Sequence, residues 1–211
     1  NVDIKPGVGP VFDTPIRRME DIERLYAFDA TKVEYISKTI ELLTTEVPDV
    51  PLIGFCGAPF TIASYLIEGG PTKSYNKTRG MLISEPEIWN RLMEKLADMS
   101  IEYLSMQARA GANALQIFDS WVGAVNSTEY EQAIFPHMKR IISTVKSRFP
   151  NLPLAMNGVG TDHLVSTWAK LPLDVIALDW RSSLGAAKDR GVTQTVQGTL
   201  IRLIYTGIQK Q

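Results

Sequence analysis

The chain has 211 residues, 45% of them apolar and 21% charged, a balance that suits one soluble globular domain with a substantial core. A formal net charge of -1 and a pI near 6.2 offer no basic footprint for nucleic acid or an anionic membrane surface, so any anionic ligand must be held by local groups. The one cysteine, Cys56, excludes an internal disulfide and any multi-cysteine zinc site, and it fits a reducing cytosol.

The chain opens on Asn1-Val2-Asp3 without a methionine, in a Gly/Pro-rich stretch through Pro10 that reads as a loop entered midway. A preceding N-terminal part is expected on that ground. No apolar run is long enough to span a bilayer, and no self-similar repeat is evident. Val33, Ile36, Ile40 and Leu43 follow helical spacing until Pro48, and Pro51-Leu52-Ile53-Gly54-Phe55-Cys56 is then an apolar run of strand type.

Ser84-Glu85-Pro86-Glu87 has capping-box order with proline inside the first turn. The stripe Ile88, Leu92, Leu96, Met99, Tyr103, Met106 continues that helix to a stop at Gly111. Ala114 to Phe118 is a second strand. Thr128-Glu129-Tyr130-Glu131 is a second capping-box pattern, opening a helical stretch to about Arg148 that Pro136 interrupts. Leu152 to Met156, Val175 to Leu178 and Thr195 to Gln197 are further strands, separated by helical stretches near His163 to Ala169 and Leu184 to Asp189.

Strands alternating with helices imply a parallel sheet joined by right-handed crossovers, either a closed (β/α)8 barrel or an open doubly wound sheet. No Gly-x-Gly-x-x-Gly follows a strand, which speaks against the dinucleotide-binding form of the open sheet. A full barrel takes about 250 residues and eight strands, of which about five are visible. In both architectures the chemistry belongs at the C-terminal strand ends. Those ends are polar and glycine-rich: Phe55-Cys56-Gly57-Ala58-Pro59, Phe118-Asp119-Ser120, Asn157-Gly158-Val159-Gly160, Asp179-Trp180-Arg181 and Gln197-Gly198.

After the first strand, glycines allow close backbone approach, Pro59 suits the first turn of a helix, and free N–H groups there suit a carboxylate. Tyr65 follows as a neutral phenolic donor or as packing. Ser120 is a carboxylate-binding hydroxyl or a turn cap, and Asp119 beside it a base, a ligand or a cap. Ser120 is not in a Gly-x-Ser-x-Gly elbow, so a nucleophile is not indicated. His137 reads as surface or packing, while His163 lies closer to a strand end. With one cysteine, a His/Cys/Cys zinc set cannot be assembled, so no metal site is expected. Asp179-Trp180-Arg181 is a site edge or a salt-bridged collar. Lys73, Lys77 and Arg79 form a basic loop, either solvated or a lid over an anionic substrate.

Gly57-Ala58-Pro59-Phe60-Thr61, then Tyr65, then Glu68-Gly69-Gly70, strongly resemble the signature of the uroporphyrinogen decarboxylase family. Gln116-Ile117-Phe118-Asp119-Ser120-Trp121-Val122-Gly123, Gly158-Val159-Gly160, Leu178-Asp179-Trp180-Arg181 and Val196-Gln197-Gly198 resemble it in order and spacing, from about Pro10 to Gly198. The resemblance implies an α/β chain of (β/α)8 TIM-barrel type, incomplete here, as a single partial domain over residues 1–211. It implies a cytoplasmic carboxy-lyase, usually a homodimer, that converts uroporphyrinogen III to coproporphyrinogen III in haem synthesis without metal or organic cofactor. Neither a nucleic acid nor a membrane partner is expected. Carried over by resemblance, Tyr65 matches the active-site tyrosine near the reacting acetate, Ser120 a hydroxyl contacting a substrate carboxylate, and Phe55 an aromatic lining the cleft.

The departures are specific. The family's Arg-Gln-Ala-Gly-Arg-Tyr segment, the strand whose aspartate binds the pyrrole N–H groups, and the part supplying an active-site histidine have no counterpart here, and neither His137 nor His163 matches that histidine. Gln197-Gly198-Thr199-Leu200-Ile201-Arg202 stands where the family has Gln-Gly-Asn-Leu-Asp-Pro, which makes residues 199–211 an atypical tail. The isolated chain is therefore expected to show little or no decarboxylase activity, and its exposed strand edges and apolar helix faces imply low solubility or partner-dependent folding. Two rival readings are a zinc-dependent methyltransferase of related barrel fold, which needs thiol ligands absent here, and a non-catalytic barrel remnant.

Overall fold

The computed structural model describes residues 2–7 and 9–198, and the atypical tail lies outside the described residues. The opening stretch, expected as a loop, is a hairpin of β1 (Val2–Lys5) and β2 (Gly9–Phe12), paired antiparallel with Val2 opposite Phe12. Gly7 and Gly9 supply the positive φ angles, 73° and 107°, that turn the chain between the two strands. The Phe12 amide donates to the Gly69 carbonyl at 2.9 Å, anchoring the hairpin beside the first candidate motif.

After α1 (Met19–Glu23) and α2 (Glu34–Glu46), β3 (Ile53–Gly57) leads into α3 (Pro59–Glu68). A helix absent from the sequence reading, α4 (Asn76–Ser84), follows and abuts α5 (Pro86–Arg109). The capping box expected at Ser84 therefore does not form. Ser84 ends α4, and Glu85 serves both helices, its amide donating to the Met81 carbonyl while its carbonyl accepts from Trp89. The α5 stripe is as expected: Leu92, Leu96 and Met106 are buried, and Ile88, Met99 and Tyr103 pack on the same core.

The second capping box forms two residues earlier than expected, because Thr128 lies inside the first turn of α6 (Ser127–Ala133). Asn126 Oδ1 accepts the Glu129 amide at 2.8 Å, and Glu129 Oε2 accepts the Asn126 amide at 3.0 Å. Pro136 restarts the helix as α7 (Phe135–Arg148), the interruption its missing N–H predicts. The remaining elements are β4 (Ala114–Asp119), β5 (Leu154–Gly158), α8 (Val165–Trp168), β6 (Val175–Leu178), α9 (Leu184–Asp189) and β7 (Thr195–Gly198).

The five strands pair in parallel in chain order, β3-β4-β5-β6-β7. A doubly wound sheet reverses its strand order partway; this one does not. Right-handed crossovers in an unreversed order place every connecting helix on one face, which is the wall of a (β/α)8 barrel. In-register Cys56, Ile117, Met156 and Ile176 point into the helix layer and are buried. The alternate residues Phe55, Gln116, Phe118 and Asn157 point to the helix-free face and remain half-buried or exposed. That second face, near the C-terminal strand ends, carries the candidate site.

Candidate functional site

At the C-terminal edge of the sheet, α3 carries Tyr65 and the segment after β4 carries Ser120 and Trp121. The β3-to-α3 turn is set by the Ala58 amide, which donates to the Phe118 carbonyl at 2.8 Å, and by Pro59 at the first helical position, where a missing N–H costs nothing. Tyr65 lies on the second turn of α3. Its ring meets Trp121, the residue after Ser120, with centroids 3.9 Å apart at 38°. The Tyr75 ring also meets Trp121, with centroids 5.2 Å apart at 57°. Glu68 holds the Tyr75 segment by accepting both the Thr78 amide, at 2.9 Å, and the Thr78 hydroxyl, at 3.0 Å. Tyr75 takes φ 52°, the one left-handed non-glycine among the described residues, a strained conformation of the kind that gathers at functional loops.

Burial pushes the Tyr65 phenol above its ordinary pKa, and burial followed by the nearby Tyr65 and Glu68 does the same for Tyr75. Both are neutral O–H donors at physiological pH. Ser120 is half-buried just beyond β4, on the same side of the strand as Phe118. Phe55, 57% exposed, packs edge-on against Phe118 with centroids 5.7 Å apart. The structure thus stacks Tyr65 on Trp121 at the sheet's end, with Ser120 the preceding residue, and sets Phe55 lower on the helix-free face.

Asp119 differs from its neighbour Ser120 because strand alternation sends it the other way, into the helix layer. It is fully buried, and its Oδ1 accepts the Thr61 hydroxyl at 2.9 Å, while Thr61 Oγ1 accepts the Trp121 amide at 3.3 Å. Burial raises the Asp119 carboxyl to about 7, against the lowering effect of the Thr61 hydroxyl and amide. Burial likewise drives the Cys56 thiol up to about 12, which leaves it an inert core side chain.

The loops themselves are clamped in sequence around the face. Gly123 packs under the β5 loop so closely that a Cβ there would stand 2.8 Å from the Gly160 carbonyl oxygen and nearer still to that of Val159. His163 Nε2 meets the Val125 carbonyl at 2.7 Å, a structural tie between the two loops. Asp179 resolves as a collar: its carboxylate accepts the Gly160 amide at 2.6 Å and the Arg181 guanidinium at 2.7 Å, and Arg181 stacks over Trp180. His137 is a buried packing residue of α7, with burial the main cause of its lowered pKa. Arg79, expected on a free loop, lies in α4 and pairs with Glu129 at 3.0 Å, which leaves Lys73 and Lys77 as the exposed cations flanking Tyr75.

The family model for uroporphyrinogen decarboxylase (URO-D) matches residues 1–207. The chain belongs to the uroporphyrinogen decarboxylase family. The uroporphyrinogen decarboxylases of Geobacillus sp. (strain WCH70) and Bacillus subtilis (strain 168) are 55% and 54% identical to it over 201 residues. That match takes in 95% of this chain but 58% and 56% of theirs, so the chain spans less than two thirds of the length of these relatives. A methyltransferase from Methanosarcina mazei superposes with a TM-score of 0.75 over 94% of this chain and 59% of its own, at 17% identity. That likeness concerns the fold alone and lends the methyltransferase alternative no support. The residues around Tyr65 that sequence reasoning did not single out are Thr61, Trp121 and Tyr75. The available signal for Thr61 and Trp121 was their place in the two motifs that also hold Tyr65 and Ser120.

Proposed function

We propose that this chain forms part of an enzyme that removes the four acetate carboxyl groups of uroporphyrinogen III to give coproporphyrinogen III, in the cytoplasmic synthesis of porphyrin and haem. The observation that carries the reading is a neutral tyrosine stacked on Trp121, the residue after Ser120, at the C-terminal strand ends. Decarboxylation at a pyrrole needs a proton delivered to ring carbon, an electron sink while carbon dioxide leaves, a second proton in place of the lost carboxylate, and departure of the first proton from ring carbon to restore the pyrrole. The pyrrole supplies the sink, so the protein's work is to orient the acetate and stabilise charge.

Tyr65 serves as the O–H donor beside the reacting acetate, and its raised pKa keeps the proton on the phenol. Ser120 donates to a substrate carboxylate, and Phe55 with Phe118 gives the macrocycle an apolar edge on the helix-free face. A homodimer of single-domain barrels is the assembly proposed for the whole protein, acting on a porphyrinogen and on neither nucleic acid nor membrane. No metal or organic cofactor enters this reaction.

The test replaces the corresponding 201 residues of the Bacillus subtilis enzyme with those of this chain and then introduces Tyr65→Phe. Turnover of uroporphyrinogen III is expected to fall about 10- to 100-fold with the melting temperature little changed, the cost of removing one positioned donor. Unchanged kinetics would remove Tyr65 from the proposed chemistry.

A further inference from the structure

Asp119 has no exposure to solvent, so it touches no substrate, and the chemistry proposed for Tyr65 and Ser120 leaves its carboxyl without a task. Its contacts nevertheless lead, through Thr61, to the segments that carry both. Oδ1 accepts the Thr61 hydroxyl at 2.9 Å, and the same Thr61 oxygen accepts the Trp121 amide at 3.3 Å. Thr61 and Tyr65 are four residues apart on α3 and share one helical face. Trp121 directly follows Ser120, and its ring lies 3.9 Å from that of Tyr65.

One buried carboxyl thus joins the loop that carries Ser120 to the helix that carries Tyr65. Ala58, the N-cap of α3, has no side chain able to cap it, and Asp119 faces the Thr61 amide from another strand. The other carboxyl oxygen, Oδ2, is buried with no hydrogen-bond partner among the described residues. Asp119 acts electrostatically on Tyr130 and on Cys56 of β3, and both stay neutral. A carboxyl kept in such a setting costs stability unless something else depends on it.

We propose that Asp119 is a positioning residue: acting through the Thr61 hydroxyl, it holds the Trp121 amide and so fixes the Tyr65 phenol and the Ser120 hydroxyl relative to each other. The inference rests on the proposed roles of Tyr65 and Ser120 as substrate-contacting groups. Its physical content is a linkage through two hydrogen bonds, in which Thr61 must donate to one partner and accept from the other. Valine in place of Thr61 keeps the shape and breaks both bonds, whereas serine keeps both. Asparagine in place of Asp119 keeps the acceptor for Thr61, and leucine removes it.

The linkage is measured on the 211-residue chain by near-ultraviolet circular dichroism, using the part of the spectrum that disappears in both Trp121→Phe and Tyr65→Phe as the signature of the stacked pair. Thr61→Ser and Asp119→Asn are expected to retain that signature. Thr61→Val and Asp119→Leu are expected to lose it while the far-ultraviolet spectrum stays native. Should Asp119→Leu fail to fold, the comparison of Thr61→Val with Thr61→Ser decides alone. Retention of the signature in Thr61→Val overturns the proposal.

In the exchanged Bacillus subtilis enzyme, Thr61→Val is expected to lower kcat about tenfold or more while KM changes little, since misorientation slows a reaction without removing a binding contact. A lost signature with kcat unaltered in an active enzyme overturns the positioning role. A signature that responds as expected in an exchanged enzyme without activity supports the linkage and counts against the decarboxylase reading instead.

Discussion

Burial raises the Asp119 carboxyl from 3.8 to about 7, and the direction of that change determines how stability depends on pH. Between those values the folded chain keeps a proton that the unfolded chain has released, so Asp119 favours folding less and less as pH rises through the window. Below about pH 4 both states hold the proton; above about pH 7 the loss is complete. From pH 5 to pH 8 the change amounts to about 3 kcal/mol, because each tenfold difference in proton affinity between the two states is worth about 1.4 kcal/mol. The salt-bridged carboxylates with lowered pKa values, Asp174 and Asp179 among them, act in the opposite sense and at lower pH. Comparing the chain with Asp119→Asn by urea unfolding at the two pH values isolates the Asp119 contribution. The asparagine variant is expected to lose less stability at pH 8 by about that amount, and parallel profiles would mean that Asp119 ionises as an ordinary carboxylate.

At the level of elements, the loops stay in register because small residues let backbone approach backbone. Gly123 lies under the Val159 and Gly160 carbonyls, and those atoms belong to main chain that cannot swing aside. Gly123→Ala is expected to destabilise the fold by about 2 kcal/mol or more and to shift the β4 loop, in thermal or denaturant unfolding. Stability equal to that of the unaltered chain would show that the two loops separate easily. The strands and α5 were legible in the sequence because their apolar spacing is set by burial on one side of the sheet. The hairpin β1-β2 and helix α4 were not, because each lies in a stretch whose glycines and polar residues also suit a loop, and tertiary contacts decide between the two. The Phe12 amide bonded to Gly69 and the Glu68 carboxylate bonded to Thr78 are such contacts. Tyr65 and Ser120 come from family resemblance alone; the contacts of Thr61 and Trp121 between α3 and the segment after β4 became visible only once α3 and β4 stood side by side.

For the molecule as a whole, five parallel strands in unreversed order give one covered face and one open face. The outer edge of β3 has a particular treatment. Leu52 and Ala58 bond toward β4, so by alternation the Phe55 backbone points away from it, and the Gln107 side chain takes up both groups, its amide oxygen accepting the Phe55 N–H and its Nε2 donating to the Phe55 carbonyl, each at 2.9 Å. Gln107 thereby satisfies both backbone groups of Phe55. A barrel wall of this kind presents its chemistry at the C-terminal strand ends, the end at which Tyr65 stacks on Trp121. The most direct measurement is product formation by the Bacillus subtilis enzyme carrying these residues in place of its own corresponding 201. Conversion of uroporphyrinogen III to coproporphyrinogen III, with kcat/KM within about tenfold of the host enzyme, is the result expected of a site that keeps its transition-state contacts. A folded exchanged enzyme that forms no coproporphyrinogen would contradict the assignment.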